Sequence, residues 1–389
     1  MDPDRHSLAD ALAPHLHRLA TPALVLDLDA VDHNIAAVVR RCGPDRWRPH
    51  VKTIKSAALV ERLFHHGVTR CKVATLDELD LVLATADRLG RTADVLVAYP
   101  PHEPALRAIL ARGERSPRAR VHVLLDGPEH AAAVADWLRR TPAATHDEVD
   151  RLAVMLDVDV GMARTGSPAG AWRAAAAALV SPVLEVTGLH GYEGHLEWDA
   201  AAEAAAAHDA LCDLARDLTA AGLSSLRTIV TSGTHAYAHA LAHPGLSQGP
   251  WQHQISPGTV VLSDLRSSPA AADLGLRQAA VVAARVISRG PGRVTLDCGS
   301  KAIHPDRGPC GRILGWPGLE PARASEEHLV VRHAVGADAP ALGELVFVVP
   351  DHVCTTVNLY RRAVLLRAGA VVGDAAIEAA SHRLWLEDP

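Results

Sequence analysis

Eight short apolar runs alternate with segments of helical spacing through the first two-thirds of the chain, and this alternation limits the fold more than any other feature. The runs are ALVLDL (23–28), RPHVK (48–52), CKVAT (71–75), DVLVAY (94–99), RVHVLLD (120–126), RLAVMLDVD (151–159), VTGLHGY (186–192) and RTIVTSG (227–233). Short runs rich in Val and Leu suit parallel strands buried on both faces. Between them lie DAVDHNIAAVVRRC, LDELDLVLATADRL, EHAAAVADWLRR and the Ala-rich 199–222, which carry the spacing of helices with one apolar face. Eight βα units in about 230 residues match an α/β fold of the (β/α)8 TIM barrel kind in both number and size. A doubly wound open sheet is the rival arrangement, but no GxGxxG follows the first run.

After about residue 255 the texture changes. TVVLSD, AAVVAARVISR, GRVTLDCGS, HLVVRHAV and ELVFVVP are separated by Gly, Pro and Asp turns, with no long helical pattern until GDAAIEAA. That describes a C-terminal β domain of about 130 residues. A length of 389 residues also exceeds what a single core usually spans. The expected organisation is an N-terminal extension at 1–20, a barrel at 21–255 and the β domain at 256–389.

Composition removes several function classes. The formal net charge is −6 and no long basic run occurs, so the electrostatic footprint of a nucleic-acid binder is missing. No apolar run reaches the roughly 18 residues that a membrane span needs. The N-terminal MDPDRHSLADALAPHLHRLA carries acidic residues and no apolar signal core, which points away from secretion. Six cysteines lie scattered without a CxxC pair, the pattern of a reduced cytoplasmic protein rather than of a disulfide framework.

In a barrel the chemistry gathers where strands end and βα loops begin. The runs end in Lys52, Thr75, Tyr99 and Asp126, then in DVDVGMARTG with Asp157, Asp159 and Arg164. GYEGHLEW brings Tyr192, Glu193 and His195, and TSGTHAY brings Ser232, Gly233 and Thr234. The last segment has the make-up of an anion cradle: a glycine that admits close approach, two hydroxyls, and a helix start. The same residues also suit a plain helix cap. Only Lys52, Lys55, Lys72 and Lys301 are lysines. Lys72 falls inside the third run, Lys301 in the DCGSKA turn and Lys55 one helical turn beyond the strand end, leaving Lys52 at the barrel mouth. A lysine there is poorly solvated, which exposes a nucleophilic amine. Beside a phosphate cradle it suggests a Schiff base with pyridoxal phosphate. A solvated lysine opening a helix is the plainer alternative.

The residues RPHVKTIKS (48–56) resemble the PHxKT segment of the D-threonine aldolase and D-serine dehydratase family. That family has the alanine racemase fold, a pyridoxal-phosphate barrel followed by a β domain. TPALVLDLDAVDHNI, KVATLDE, DVDVGMARTG, GLHGYEGH, VTSGTHAY, ISPGT, DCGSKA, SEEH and PDHVCTTVNL (350–359) follow in the family's order, so the resemblance spans nearly the whole chain. It implies that Lys52 bonds the cofactor and that Arg164 lies by the cofactor ring near its pyridine nitrogen. It further implies that Tyr192 touches the cofactor, and that Ser232, Gly233 and Thr234 hold its phosphate. His352 and Cys354 would bind a divalent metal, a nitrogen and thiolate set that favours zinc over manganese or magnesium. The chain departs from the family pattern at Ile54, where a histidine is common, at Ser256, where arginine is frequent, and at Thr355, where proline is.

The implied activity is that of a lyase on D-configured β-hydroxy amino acids. A metal would help hydroxide leave after loss of the α-proton to Lys52, giving a keto acid and ammonia. Alternatively a base, with His195 the candidate, would take the hydroxyl proton and Cα–Cβ would cleave to glycine and an aldehyde. The His-x-Cys pair resembles the zinc-dependent dehydratases, whereas aldolases of the family often use His-x-Asp, so dehydration is the first expectation. An amino-acid racemase and a non-catalytic pyridoxal-phosphate carrier are further alternatives; the β domain argues against the carrier. The resemblance also implies a homodimer.

Overall fold

A computed structural model describes residues 3–141, 151–306 and 308–379. Residues 1–2 of the expected extension and 380–389 of the expected β domain lie outside these. The chain divides into two compact units. One takes residues 39–52 and 63–258, and the other takes the N-terminal part to Val38, Thr53–Arg62 and everything from Thr259 onward.

The first unit is the barrel. Its strands are β2 (Arg70–Val73), β3 (Ala93–Val97), β4 (Ala119–Leu125), β5 (Leu152–Val158), β6 (Leu184–Gly191), β7 (Thr228–Thr231) and β8 (Gln252–Ile255), numbered after β1 (Ala23–Asp27) of the other unit. They form a seven-stranded sheet in chain order, every pair parallel. The eighth position belongs to residues 47–50. Trp47 bridges Ile255 and His50 bridges Lys72, both in parallel sense. Arg48 N–H donates to the Ile255 carbonyl at 2.8 Å and Lys72 N–H to the Pro49 carbonyl at 2.9 Å. The two sheet edges therefore meet across this segment, and no edge stays open.

Alternation of side chains stacks the barrel interior in layers. The layer toward the strand starts is polar. Arg48, fully buried, reaches Asp94 Oδ1 at 2.8 Å and Gln254 Oε1 at 2.7 Å, and His122 Nε2 lies 3.1 Å from Asp94. Two residues further along, Leu96, Leu124, Met155 and Val230 form a buried apolar cluster. This cluster plugs the barrel. Two residues beyond it, on β5 and after β7, come Asp157 and Ser232.

The second unit is mostly sheet. Its strands are β9 (Ala280–Gly290), β10 (Arg293–Leu296), β11 (Gly311–Ile313), β12 (Glu320–Pro321), β13 (Leu329–Arg332), β14 (Leu345–Pro350), β15 (Arg362–Arg367) and β16 (Ala370–Ala376). With β1 they make nine strands, in which β1 lies parallel to β15 and antiparallel to β9. Two apolar clusters fill the unit, one around Val282, Val294 and Val348 and one around Leu12, Val25 and Phe347.

Three expectations are corrected here. The run 23–28, expected as the first barrel strand, pairs in the nine-stranded sheet. Its place in the count of eight is taken by Gln252–Ile255, whose QHQI sequence offers no apolar run. The run 48–52 joins the barrel only through single bridges before a 3-10 turn at Val51–Thr53. Ala11 and Leu12, in the expected extension, are core residues of the second unit. Among the described residues no helix is long and apolar enough to cross a membrane.

Candidate active site

At the strand ends of the barrel, the short turn Val51–Thr53 presents Lys52 as an exposed side chain. The poorly solvated lysine expected at this mouth is therefore not Lys52. It is Lys72 on β2, 4% exposed. Burial and the neighbouring charge of Lys52 push its amine down to about 7, against the pull of Glu193 and Asp157.

The loop after β5 is held by carboxylates that serve geometry. Asp159 Oδ1 accepts from the N–H groups of Gly161 and Ala163 at 2.9 and 3.0 Å. Asp126 Oδ1 accepts from Gly166 N–H at 2.7 Å. These bonds fix the loop that carries Arg164, whose Cζ lies 4.9 Å from the centre of the Tyr192 ring. This is stacking distance for a guanidinium on an aromatic face. Thr75 caps the helix Leu76–Leu89, its hydroxyl accepting from Glu78 N–H at 3.1 Å. Thr75 thus has a structural task.

Tyr192 owes its position to two glycines. A Cβ on Gly194 would stand 2.2 Å from Tyr192 Cε1, and one on Gly233 3.0 Å from Cε2. Only bare backbone fits against both sides of this ring. His195 is exposed and packs over Gly161, where an added Cβ would meet its Nε2 at 3.3 Å.

The Ser232–Thr234 loop is anchored from below by a buried charge. Glu193 accepts from the Ser232 hydroxyl and, at 3.1 Å, from its N–H, and pairs with His208 Nε2 at 2.7 Å. Burial alone would raise the Glu193 carboxyl, but His208 and Ser232 outweigh it and hold the carboxyl below its ordinary range. Both donors of Ser232 are thus spent on Glu193. Its part is to set the turn, with φ +57°, which Gly233 and Thr234 follow. Ser256, beside this loop through its N–H to the Ser232 carbonyl at 2.9 Å, carries a buried hydroxyl without a partner. A buried orphan hydroxyl next to a glycine turn suits an oxyanion.

In the sheet unit, His352 caps the short helix Val353–Val357 that follows β14, and Asp264 Oδ2 accepts from Val353 N–H at 3.0 Å. This turn brings the His352 and Cys354 side chains into hydrogen-bonding contact. Burial works against it, yet Cys354 and Asp306 raise the imidazole to about 9. Burial likewise opposes ionisation of Cys354, and His352 with the hydroxyls of Thr259 and Thr53 outweighs it, holding the thiol below its usual range. Those hydroxyls lie 3.4 and 3.1 Å from the sulfur. A thiolate beside an imidazole is a borderline-soft donor pair. Among the described residues no three His, Cys, Asp or Glu side chains converge as a complete metal cage. Ile54 is buried in the same unit, 1% exposed.

Sequence reasoning missed Lys72, His190, Ser256 and the Glu193–His208 pair. Strand parity could have found Lys72, because a lysine between Cys71 and Val73 in a helix-covered strand must point inward.

A parallel barrel with a glycine turn, a lysine and a stacked tyrosine at its strand ends, joined in sequence to a β unit, defines an alanine-racemase-like α/β architecture. The chain belongs to the alanine racemase N-terminal domain family, whose profile matches residues 26–260; a putative serine dehydratase domain matches 279–366. It is similar to a D-threonine aldolase of Arthrobacter sp, 29% identical over 370 residues that cover 92% of this chain and 91% of the relative. It is 27% identical over 379 residues to D-threo-3-hydroxyaspartate dehydratase of Delftia sp. (strain HT23), covering 87% and 92%. In three dimensions it resembles the crystal structure of D-threonine aldolase from Filomicrobium marinum, with a TM-score of 0.80 and 26% identity, covering 93% of this chain and 96% of that one. Aldolases and dehydratases of this kind are lyases.

Proposed function

We propose that this chain is a pyridoxal-phosphate- and divalent-metal-dependent lyase of D-β-hydroxy amino acids that acts as a dehydratase, releasing a keto acid and ammonia. The observation that carries the reading is the barrel mouth. There Lys52 is free to react, Gly233, Thr234 and the orphan Ser256 hydroxyl suit a phosphate, and relatives similar over most of their length are lyases. Lys52 would bond the cofactor aldehyde, Tyr192 and Arg164 would flank its ring, and His352 with Cys354 would hold zinc.

When bound, the cofactor supplies an electron sink for Cα and the metal supplies Lewis acidity at the β-hydroxyl. Lys52 Nζ would be the base placed to take the α-proton. Arg164 supplies a fixed positive charge beside Tyr192. The thiolate–imidazole pair favours dehydration; similarity to D-threonine aldolase favours a second reading, cleavage to glycine and an aldehyde with His195 as base. A cytoplasmic homodimer accompanies either reading; sedimentation at the mass of two chains is the expected result, and sedimentation at the mass of one would refute the dimer.

Incubation with D-serine and D-threonine, with and without chelator, tests the function. Chelator-sensitive keto acid and ammonia from both substrates is the expected result. Glycine with an aldehyde selects the second reading. Inverted substrate alone, or no turnover, refutes both.

A further inference from the structure

The barrel mouth holds a group that the proposed function leaves idle. Lys72 Nζ lies 3.3 Å from His190 Nε2, and His190 Nδ1 lies 2.7 Å from Asp157 Oδ1. All three are buried, at 4%, 3% and 3% exposure. Burial and the charge of Lys72 keep the His190 imidazole below its ordinary range despite Asp157, so the ring is neutral. Its Nδ1–H therefore donates to Asp157, and its Nε2 lone pair accepts from the Lys72 amine. One proton of a protonated Lys72 is thereby spent. The same Nζ stands 5.5 Å from the centre of the Tyr192 ring, the ring against which Arg164 is stacked.

The charged and titratable groups around this amine are few. Lys52 precedes β2, Asp157 and His190 stand on β5 and β6, Arg164 lies in the loop after β5, and Glu193 follows β6. Glu193 is committed to His208 and Ser232, and Asp157 to His190. Three basic side chains, Lys52, Lys72 and Arg164, thus share the mouth with carboxylates that already have partners. Burying an ammonium costs several kcal/mol, and packing alone would be better served at this site by leucine or methionine.

We propose that Lys72 is a ligand-contacting amine of the barrel mouth: clamped by His190 and Asp157 beside Tyr192, it takes up a proton when an oxyanion docks there and holds that proton against it. The oxyanion comes either from the phosphorylated pyridine aldehyde or from the carboxylate of the amino acid. This rests on the mouth being the cofactor site.

The scarcity of lysine makes the test direct. The full chain labelled with [13Cε]lysine gives four lysine signals, and replacing Lys52, Lys55 and Lys301 by arginine one at a time leaves Lys72 as the unassigned fourth. In the free chain the Lys72 signal titrates near 7. Addition of pyridoxal 5'-phosphate, or of pyridoxal 5'-phosphate and then D-serine, raises that midpoint by a factor of about ten or more in proton affinity. The arm in which the rise occurs identifies the oxyanion. Calorimetry in two buffers of different ionisation enthalpy then records proton uptake on binding between pH 7 and 9, which Lys72→Met abolishes. A Lys72 midpoint in the ordinary range near 10, or one unmoved in both arms, overturns the proposal even if Lys72→Met fails to fold. If the Lys52 signal changes while Lys72 does not, the Lys72 inference fails and the cofactor reading stands. If no lysine signal changes, both fail.

Discussion

Replacement of Glu193 by alanine tests whether the anion loop is built on a buried charge. The carboxylate holds the hydroxyl and N–H of Ser232 and the Nε2 of His208 in a site where Glu193, His208 and Ser232 are 2%, 0% and 0% exposed. Alanine leaves the Ser232 N–H and His208 Nε2 buried without their carboxylate partner, and the Ser232 hydroxyl with only Thr231 Oγ1 at 3.1 Å. Removing one partner of a buried ionic pair costs about 3–5 kcal/mol. For a unit of roughly 200 residues that is about 6–20 °C in melting temperature. Tryptophan fluorescence follows the barrel, which contains Trp47, Trp137, Trp172, Trp198 and Trp251. The pH dependence has a definite sign. Because the folded carboxyl is held below its unfolded value, its contribution is complete above about pH 4.3 and is lost as pH falls through the folded value. Glu193→Gln, which cannot ionise, should therefore lose most against the native chain at neutral pH and converge with it in acid. A Glu193→Ala melt within about 2 °C of the native chain, or a glutamine deficit that persists unchanged into acid, refutes the reasoning.

Other expectations follow from the same contacts. Arg48→Met takes from the one-third-exposed Asp94 its guanidinium partner and from the buried Gln254 its donor and should cost about 1–3 kcal/mol in urea titrations, part of it recovered by adding Asp94→Leu; a loss below about 0.5 kcal/mol contradicts the ionic layer. Gly194→Ala places a methyl 2.2 Å from the Tyr192 ring. It should displace the ring and weaken pyridoxal phosphate binding by about tenfold or more, a change of at least about 1.4 kcal/mol by fluorescence titration; unchanged affinity would show that Tyr192 is not part of the cradle. If His352 and Cys354 hold zinc as proposed, Cys354→Ser should lower zinc content, seen by elemental analysis, and lower the proposed dehydration by about 100-fold; zinc content equal to that of the native chain refutes the assignment.

The βα alternation was legible because buried parallel strands need continuous apolar runs, and six of the eight sequence runs supply strands of the parallel sheet. ALVLD at 23–27 misled because a buried strand reads the same whichever sheet takes it. Only its long-range pairing with Ala280–Ala283 and Ala363–Leu366 decides that. Gln252–Ile255 was illegible for the opposite reason. Gln254 faces the polar layer and bonds Arg48, so this strand carries no apolar signature. The packing of Gly233 against Tyr192 in the barrel, and separately the contact of His352 with Cys354 in the sheet unit, fall in segments that the motifs single out, whereas the anchoring of Ser232 by Glu193 and His208 is a tertiary event. Lys72 was set aside as a strand residue, although its place in the strand is what aims it at the mouth.

Lys52 is proposed above to carry pyridoxal phosphate at the barrel mouth. Borohydride reduction of the cofactor-loaded chain, followed by peptide mapping, tests it directly. The account predicts a phosphopyridoxyl group on Lys52 and loss of the long-wavelength absorbance in Lys52→Ala. A label on Lys55, Lys72 or Lys301 in the native chain, or an unaltered spectrum in Lys52→Ala, would contradict it.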